Sequence, residues 1–152
     1  MHIIAIDPGA HGAYAIRYHG GSTTVCNYTS ESDLCEALQD LATEATANNH
    51  TVTAYIEQVG GFVGKAQPGS SMFKFGRNFG FILGVCQALR FTIYLIPPQK
   101  WQKAYPTPTT KTKNAAQHKR ELKDHAARLF PHTKVTLANA DALLLLHYAI
   151  TH

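Results

Sequence analysis

The chain has 152 residues, of which 45% are apolar and 16% charged, and this balance is typical of one globular domain with a sizeable core. No apolar run is long enough for a transmembrane helix and no charged leader opens the sequence. We therefore expect neither a membrane span nor a secretory signal, and predict a cytoplasmic protein, or one of the host cytoplasm if a phage encodes it. The three cysteines and nine histidines show no spacing typical of a disulfide framework or a paired metal site.

The formal net charge of +4 is divided unevenly along the chain. Residues 1–60 contain one base and seven acids, whereas residues 61–152 contain thirteen bases and three acids. This segregation predicts a polyanion-binding surface in the second half, against the alternative of a merely solvated basic face. Aromatic residues suited to stacking on exposed nucleobases are interleaved with these bases. They are Phe73, Phe75, Phe79, Trp101 and Tyr105.

Apolar periodicity and turn residues predict five strands and four main helical segments. The predicted strands are 2–7, 12–18, 22–28, 51–57 and 90–96. A helix capped by Ser30 or Ser32 runs to about Ala47, and further helices are predicted at 71–89, 114–130 and 140–151, with a helical turn at 99–103. Loops are predicted at 60–71 and 105–113, where glycine, proline, serine and threonine accumulate.

This order of elements predicts an α/β fold with a mixed five-stranded sheet flanked by helices. A three-strand meander followed by β–α crossovers places the first and fourth strands side by side and parallel. Asp7 and Glu57, which end those strands, are therefore expected to be neighbours. Asp141 begins the last helix and is expected to face both.

Acidic residues at three predicted element ends form the main functional signal. A buried carboxylate is costly unless it is paired or binds a metal, and three that meet favour hard divalent cations. Such a cluster is the equipment for metal-assisted phosphodiester hydrolysis. Each acid also has an ordinary structural interpretation: a turn cap for Asp7, an ion pair for Glu57 and a helix N-terminal charge for Asp141.

The segments that carry these acids resemble the RuvC family of Holliday junction resolvases. They are Ile6-Asp7-Pro8-Gly9, Glu57-Gln58-Val59 and Ala140-Asp141-Ala142-Leu143. Other segments are closer to a RuvC-like branch of phages and plant organelles: 70–77, Pro98-Gln99-Lys100-Trp101 and Arg128-Leu129-Phe130-Pro131. The resemblance implies one RNase H-like nuclease domain over residues 1–152. It also implies a homodimer that cuts four-way DNA junctions by paired symmetric nicks, in recombination and repair.

By motif match, the resemblance implies that Asp7, Glu57 and Asp141 bind two Mg²⁺ or Mn²⁺ ions per active site. Lys119 falls where the family has a lysine near the active site, and is expected to stabilise charge in the transition state. The family's further acid or histidine, three positions before the last aspartate, is Ala138 here. The amide oxygen of Asn139 or a water molecule is predicted to take that fourth place.

A second set of residues is predicted to contact DNA. Phe62 and Phe73 are candidates for a wedge that stacks at the junction centre, against the alternative of core packing. Trp101 is expected to pack against the sheet edge. The basic candidates for phosphate contacts are Lys65, Lys74, Arg77, Lys100, Lys103, Lys111 and Lys113.

The implied homodimer is predicted to form through the helix at 71–89. Glycines at 76, 80 and 84 leave one face of that helix without side chains, so another helix can approach closely. The alternative is that this face packs only on its own sheet.

Three other functions are compatible with parts of the sequence. The lack of the further acid is compatible with a non-catalytic junction-binding protein, and the same fold also serves YqgF-type nucleases of RNA or branched DNA. The segment from Asp7 to Gly12 faintly resembles a phosphate loop of sugar kinases and actin. That superfamily needs a second lobe, for which 152 residues leave no room.

Overall fold

The computed structural model describes residues 1–58, 60, 69–107 and 114–152 of the chain. Five strands form one mixed sheet in the order β3-β2-β1-β4-β5. The first three strands are antiparallel neighbours, and β4 and β5 run parallel to β1. The strands are β1 (His2–Asp7), β2 (Ala13–Arg17), β3 (Thr23–Asn27), β4 (Val52–Glu57) and β5 (Thr92–Ile96). The predicted meander with added parallel strands is confirmed.

Helices cover both faces of this sheet. The helices are α1 (Glu31–Ala47), α2 (Gly69–Ala88), α3 (Pro98–Gln102), α4 (Ala115–Leu129) and α5 (Ala140–Thr151). Polar side chains cap two of them: the Ser30 hydroxyl accepts from the backbone N–H of Asp33 at 3.1 Å, and Asn114 Oδ1 accepts from that of Gln117 at 2.9 Å. Among the helices of the described part of the chain, none combines the length and apolar composition needed to cross a membrane.

Alternation along β1 separates two cores. Ile4 and Ile6 pack with α1 and α2 on one face, while Ala5 faces α3, α4 and α5 on the other. The second face of the sheet is lined by small residues, including Ala13 and Ala15 of β2, so α5 can lie close to the central strands. The buried leucines of α5 then hold its first turn over the sheet.

Several element boundaries differ from the sequence prediction. Strand β5 begins at Thr92 instead of residue 90, because Arg90 has a left-handed φ of 59° that ends the preceding turn. Strand β2 begins at Ala13 because Gly12 packs against Tyr28, and a Cβ at Gly12 would lie 2.1 Å from the Tyr28 hydroxyl. Helix α2 begins at Gly69, two residues before the predicted start.

Candidate active site

Three carboxylates lie at the edge of the sheet where β1 and β4 end. Ile6 of β1 pairs with Ile56 of β4, so the next residues, Asp7 and Glu57, are adjacent on parallel strands. Asp141 is in the first turn of α5, which packs across β1, β2 and β4. The fold therefore brings together residues that are up to 134 positions apart in sequence.

Burial raises the pKa of all three carboxyl groups, and repulsion between carboxylates adds to the rise for Asp7 and Glu57. Burial is the main cause of the strongly raised pKa of Asp7, and the charges of Glu57 and Asp141 add to it. Burial and the charge of Asp141 raise the pKa of Glu57 to about 7. Burial also raises the pKa of Asp141. In the metal-free protein these groups are held together at an electrostatic cost that a bound cation would offset.

The Glu57 carboxylate has one specific hydrogen-bond partner in the core. Trp101 Nε1 donates to Glu57 Oε2 at 2.7 Å, and this bond opposes the rise in the Glu57 pKa. Trp101 is fully buried, as the packing interpretation predicts, but its bond to Glu57 was not predicted. Helix α3 follows β5 directly, and β5 is parallel to β4. The Trp101 indole therefore lies at the edge of the sheet where β4 ends with Glu57.

Two neighbouring residues of α4 bring positive charge to the carboxylates. Lys119 Nζ lies 3.8 Å from Asp141 Oδ2, and the Lys119 side chain is 59% exposed. Its charge lowers the pKa of Asp7, Glu57 and Asp141 alike, so the ammonium group acts on the whole cluster. The charge of His118 also lowers the pKa of Asp141. His118 was not among the predicted site residues, because its position near Asp141 depends on how α4 packs against α5.

Two solved structures from Thermus thermophilus are similar to this chain over nearly its whole length. T. thermophilus RuvC in complex with a Holliday junction substrate matches with a TM-score of 0.58 and 16% sequence identity, covering 99% of this chain and 95% of that chain. The fold is that of RuvC. A second T. thermophilus RuvC structure matches with a TM-score of 0.54 and 16% identity, covering 99% and 96%. No protein-family model and no curated protein matches the sequence.

Within this RuvC fold, Asn139 serves the turn before α5. The backbone N–H of Thr136 donates to Asn139 Oδ1 at 2.8 Å, and Asn139 Nδ2 donates to the Lys134 carbonyl at 3.1 Å. Asn139 is also buried. Its amide is thus paired with the backbone, and the fourth ligand, Asn139 or water, stays a prediction.

The loop that follows Asp7 is held by hydrogen bonds from two other elements. The backbone N–H of Gly9 lies 3.1 Å from the Tyr28 hydroxyl and 3.2 Å from Asn78 Oδ1. Gly9 has a φ of 143°, a conformation that favours glycine. A cavity of about 450 Å³ opens between this loop and the start of α2. Its lining includes Ala10, Met72 and Phe75.

The predicted DNA contacts lie partly on the described surface. Lys74, Lys100 and Lys103 are exposed, and Phe73 is 74% exposed on α2, which argues against core packing. Arg77 is exposed but donates to Glu31 Oε2 at 2.8 Å, an ion pair weak enough for a phosphate to displace. The remaining candidates lie outside the described residues: Phe62, Lys65, Lys111 and Lys113.

The raised carboxyl pKa values predict that the metal-free protein loses stability as pH rises. A carboxyl group with a raised folded-state pKa stabilises the fold below its unfolded pKa, and that contribution is lost as pH rises through the folded value, about 7 for Glu57. Between pH 5 and 8.5 the free energy of unfolding of Glu57→Gln should therefore fall by roughly 2–3 kcal/mol less than that of the parent protein. This corresponds to a difference of about 5–10 °C in Tm.

Thermal unfolding in EDTA at pH 5 and 8.5 measures this effect. Glu36→Gln, at an exposed carboxylate of α1, is the matched control and should unfold like the parent protein at both pH values. Equal pH dependence of Tm in the parent and Glu57→Gln would contradict the assigned electrostatic cost.

Proposed function

We propose that residues 1–152 form a single RNase H-like nuclease domain that resolves four-way DNA junctions by metal-dependent, paired symmetric nicks. The observation that carries this proposal is the convergence of Asp7, Glu57 and Asp141, all partly buried and with raised pKa values, at one edge of the sheet. The fold similarity to T. thermophilus RuvC, solved with a Holliday junction substrate, supports the choice of substrate.

The donor set of the site fits hard divalent cations. Carboxylate oxygens are the ligands that Mg²⁺ and Mn²⁺ prefer, and Asp7, Glu57 and Asp141 would hold two such ions. Bound there, the cations supply activated water and stabilise the leaving 3′ oxygen, so that 5′-phosphate ends result. The repulsion among the free carboxylates favours occupancy, because a cation removes it.

Other residues prepare the site for this chemistry. Asp7 lies on the central strand, and the charges of both other carboxylates raise its pKa, so it would be a ligand for the bound cations. The buried indole of Trp101 orients the Glu57 carboxylate through its hydrogen bond to Oε2. The exposed Lys119 side chain can place its ammonium group beside the scissile phosphate and stabilise the negative charge that develops there.

The surface around the carboxylates is suited to DNA backbone binding. Lys74 lines the cavity beside Gly9, in the loop that follows Asp7, and Lys100 is on α3, which carries Trp101. Phe73 is an exposed residue of α2 and is the described candidate for the junction wedge. Exposed aromatic and basic side chains together suit unpaired bases and phosphates at a branch point.

The glycine stripe of α2 supports a homodimer, which paired nicks require. Among the described atoms outside the helix backbone, none lies within 4 Å of a Cβ built at Gly76, Gly80 or Gly84. Within the described part of the chain the stripe does not pack on the sheet, which supports its use as a contact with a second copy of the chain.

Gly80→Glu should convert the dimer to a monomer without loss of folding. Among the described residues no atom lies within 4 Å of a Cβ at this position, and replacing glycine within a helix favours the helical state. Sedimentation velocity at micromolar concentration should give a dimer for the parent and a monomer for the variant. Gln39→Glu, which adds the same charge at an exposed position of α1, should remain dimeric. A monomeric parent, both alone and with junction DNA, would contradict the prediction.

Substrate comparison tests the proposed activity against its alternatives. In Mg²⁺ the protein should cut a synthetic four-way junction at least tenfold faster than duplex DNA, single-stranded DNA or RNA. Equal cleavage of RNA or of simple branched DNA would favour a YqgF-type nuclease.

A further inference from the structure

A second group of potential metal ligands lies at the opposite end of β1 from Asp7. His2 begins β1, Glu44 lies near the end of α1, and His50 precedes β4. One ligand atom from each of these residues, here called the His2 cluster, lies within 4.8 Å of the others. Asp7 lies five residue steps along the strand from His2, a distance of roughly 17 Å. The cluster is therefore separate from the carboxylate site.

Two of the three ligand-atom separations in the His2 cluster are close to those of a tetrahedral metal site, and the third is within 4.8 Å. His2 Nε2 lies 2.8 Å from Glu44 Oε2 and 3.1 Å from His50 Nδ1. Metal–ligand bonds of about 2.0–2.2 Å imply ligand separations of roughly 3.3–3.5 Å around Zn²⁺. An outward shift of a few tenths of an ångström would admit the ion.

The backbone beneath the cluster is fixed. The N–H of His2 donates to the Thr51 carbonyl at 2.8 Å, which joins β1 to the start of β4. The N–H of His50 donates to the Ala45 carbonyl at 2.8 Å, which closes the end of α1. His2 is 1% exposed, so its ring has few alternative positions. The backbone of both histidines is thus fixed, while the Glu44 side chain is exposed near the end of α1.

We propose that the His2 cluster binds one Zn²⁺ ion through His2 Nε2, His50 Nδ1 and a Glu44 carboxylate oxygen. Two imidazoles and one carboxylate suit Zn²⁺, whereas Mg²⁺ prefers oxygen ligands alone. The exposed His19 ring lies 4.3 Å from the His50 ring, centroid to centroid, and would have to move to supply the fourth ligand. The ion joins β1, α1 and the start of β4, so its role is to stabilise the fold.

Zinc binding changes the tautomer of His2 in a way that can be observed. The backbone N–H of His19 donates to His2 Nδ1 at 3.2 Å, so in the metal-free protein the ring proton is on Nε2 and faces Glu44. Ligation through Nε2 places the proton of the neutral ring on Nδ1. That proton faces the His19 N–H, so the hydrogen bond breaks and the turn at His19 shifts.

Calorimetric titration of the untagged protein with Zn²⁺ tests the proposal. The parent and Asp7→Asn should both retain one zinc ion bound at the His2 cluster. His50→Gln should weaken that binding more than about 100-fold, beyond the typical effect of losing an outer-shell partner. His132→Gln, which removes an exposed histidine outside the cluster, is the matched control and should bind like the parent. An excess of Mg²⁺ should not displace the ion.

Two further measurements distinguish a specific zinc site at the His2 cluster from weak zinc binding by surface histidines. Zinc at about 100 times its Kd should raise the Tm of the parent by roughly 5–10 °C and leave that of His50→Gln unchanged. The amide resonance of His19 should move on zinc addition in the parent only. Equal zinc affinity in His50→Gln, loss of the site in Asp7→Asn, or an unmoved His19 amide would each overturn the proposal. Failure of zinc binding would leave junction cleavage unaffected, so the two proposals can be tested separately.

Discussion

Asp7→Asn is expected to abolish junction cleavage while the protein still binds the junction. The substitution keeps the shape of the side chain but removes its negative charge from a group whose pKa is raised by both Glu57 and Asp141. Metal ions supply several kcal/mol of transition-state stabilisation in such sites, so the cleavage rate should fall at least about 1,000-fold. Binding depends mainly on the basic surface, and its Kd should change by no more than about twofold.

Asp124→Asn provides the matched control for this experiment. Asp124 is an exposed aspartate of α4, and its substitution removes the same charge away from the carboxylate cluster. Cleavage and binding should both equal those of the parent, as measured by single-turnover kinetics and by gel shift in Ca²⁺. A cleaving Asp7→Asn variant would exclude Asp7 as a metal ligand.

Trp101→Phe is expected to slow cleavage about 10- to 100-fold at neutral pH. The indole N–H donates to Glu57 at 2.7 Å and lowers the pKa of that carboxyl group. A hydrogen bond to a charged group contributes about 1.5–3 kcal/mol, which sets the size of the expected effect. Without the donor the Glu57 pKa rises further, so the acidic limb of the rate profile should move to higher pH, and more Mg²⁺ should be needed for half-maximal rate.

Tyr105→Phe distinguishes this positioning role from a general loss of core stability. Tyr105 is buried in the same core as Trp101, and its hydroxyl donates to the Leu144 carbonyl at 2.9 Å, away from the carboxylates. This variant should unfold at a lower temperature while its rate profile keeps the parental pH dependence. If both variants show the parental profile, Trp101 acts only through packing.

The arrangement of the sheet could be predicted from the sequence because its signals are local. Alternating apolar residues define β1 and β4, and parallel pairing of the strands carries Asp7 and Glu57 to the same edge. The apolar run of α5 likewise fixes where Asp141 begins its helix. These inferences need only periodicity, turn residues and the topology rules of α/β folds.

The partners of the site residues could not be predicted, because they depend on how distant elements pack. Trp101 meets Glu57 across 44 positions of sequence, and Arg77 meets Glu31 across 46. The His2 cluster could not be predicted from metal-ligand spacing either. Its members come from a strand start, a helix end and a connecting turn, so they form no motif along the chain.

Strand-by-strand mapping of cleavage in a synthetic four-way junction tests the central claim most directly. Each strand is labelled at its 5′ end in turn, and the parent protein is added in Mg²⁺, in Mn²⁺ and in EDTA. We predict nicks at symmetric positions in two opposite strands, with 5′-phosphate ends, in either cation and none in EDTA. A junction that is bound but remains intact in both cations would contradict the account, and would identify the chain as a junction-binding protein without nuclease activity.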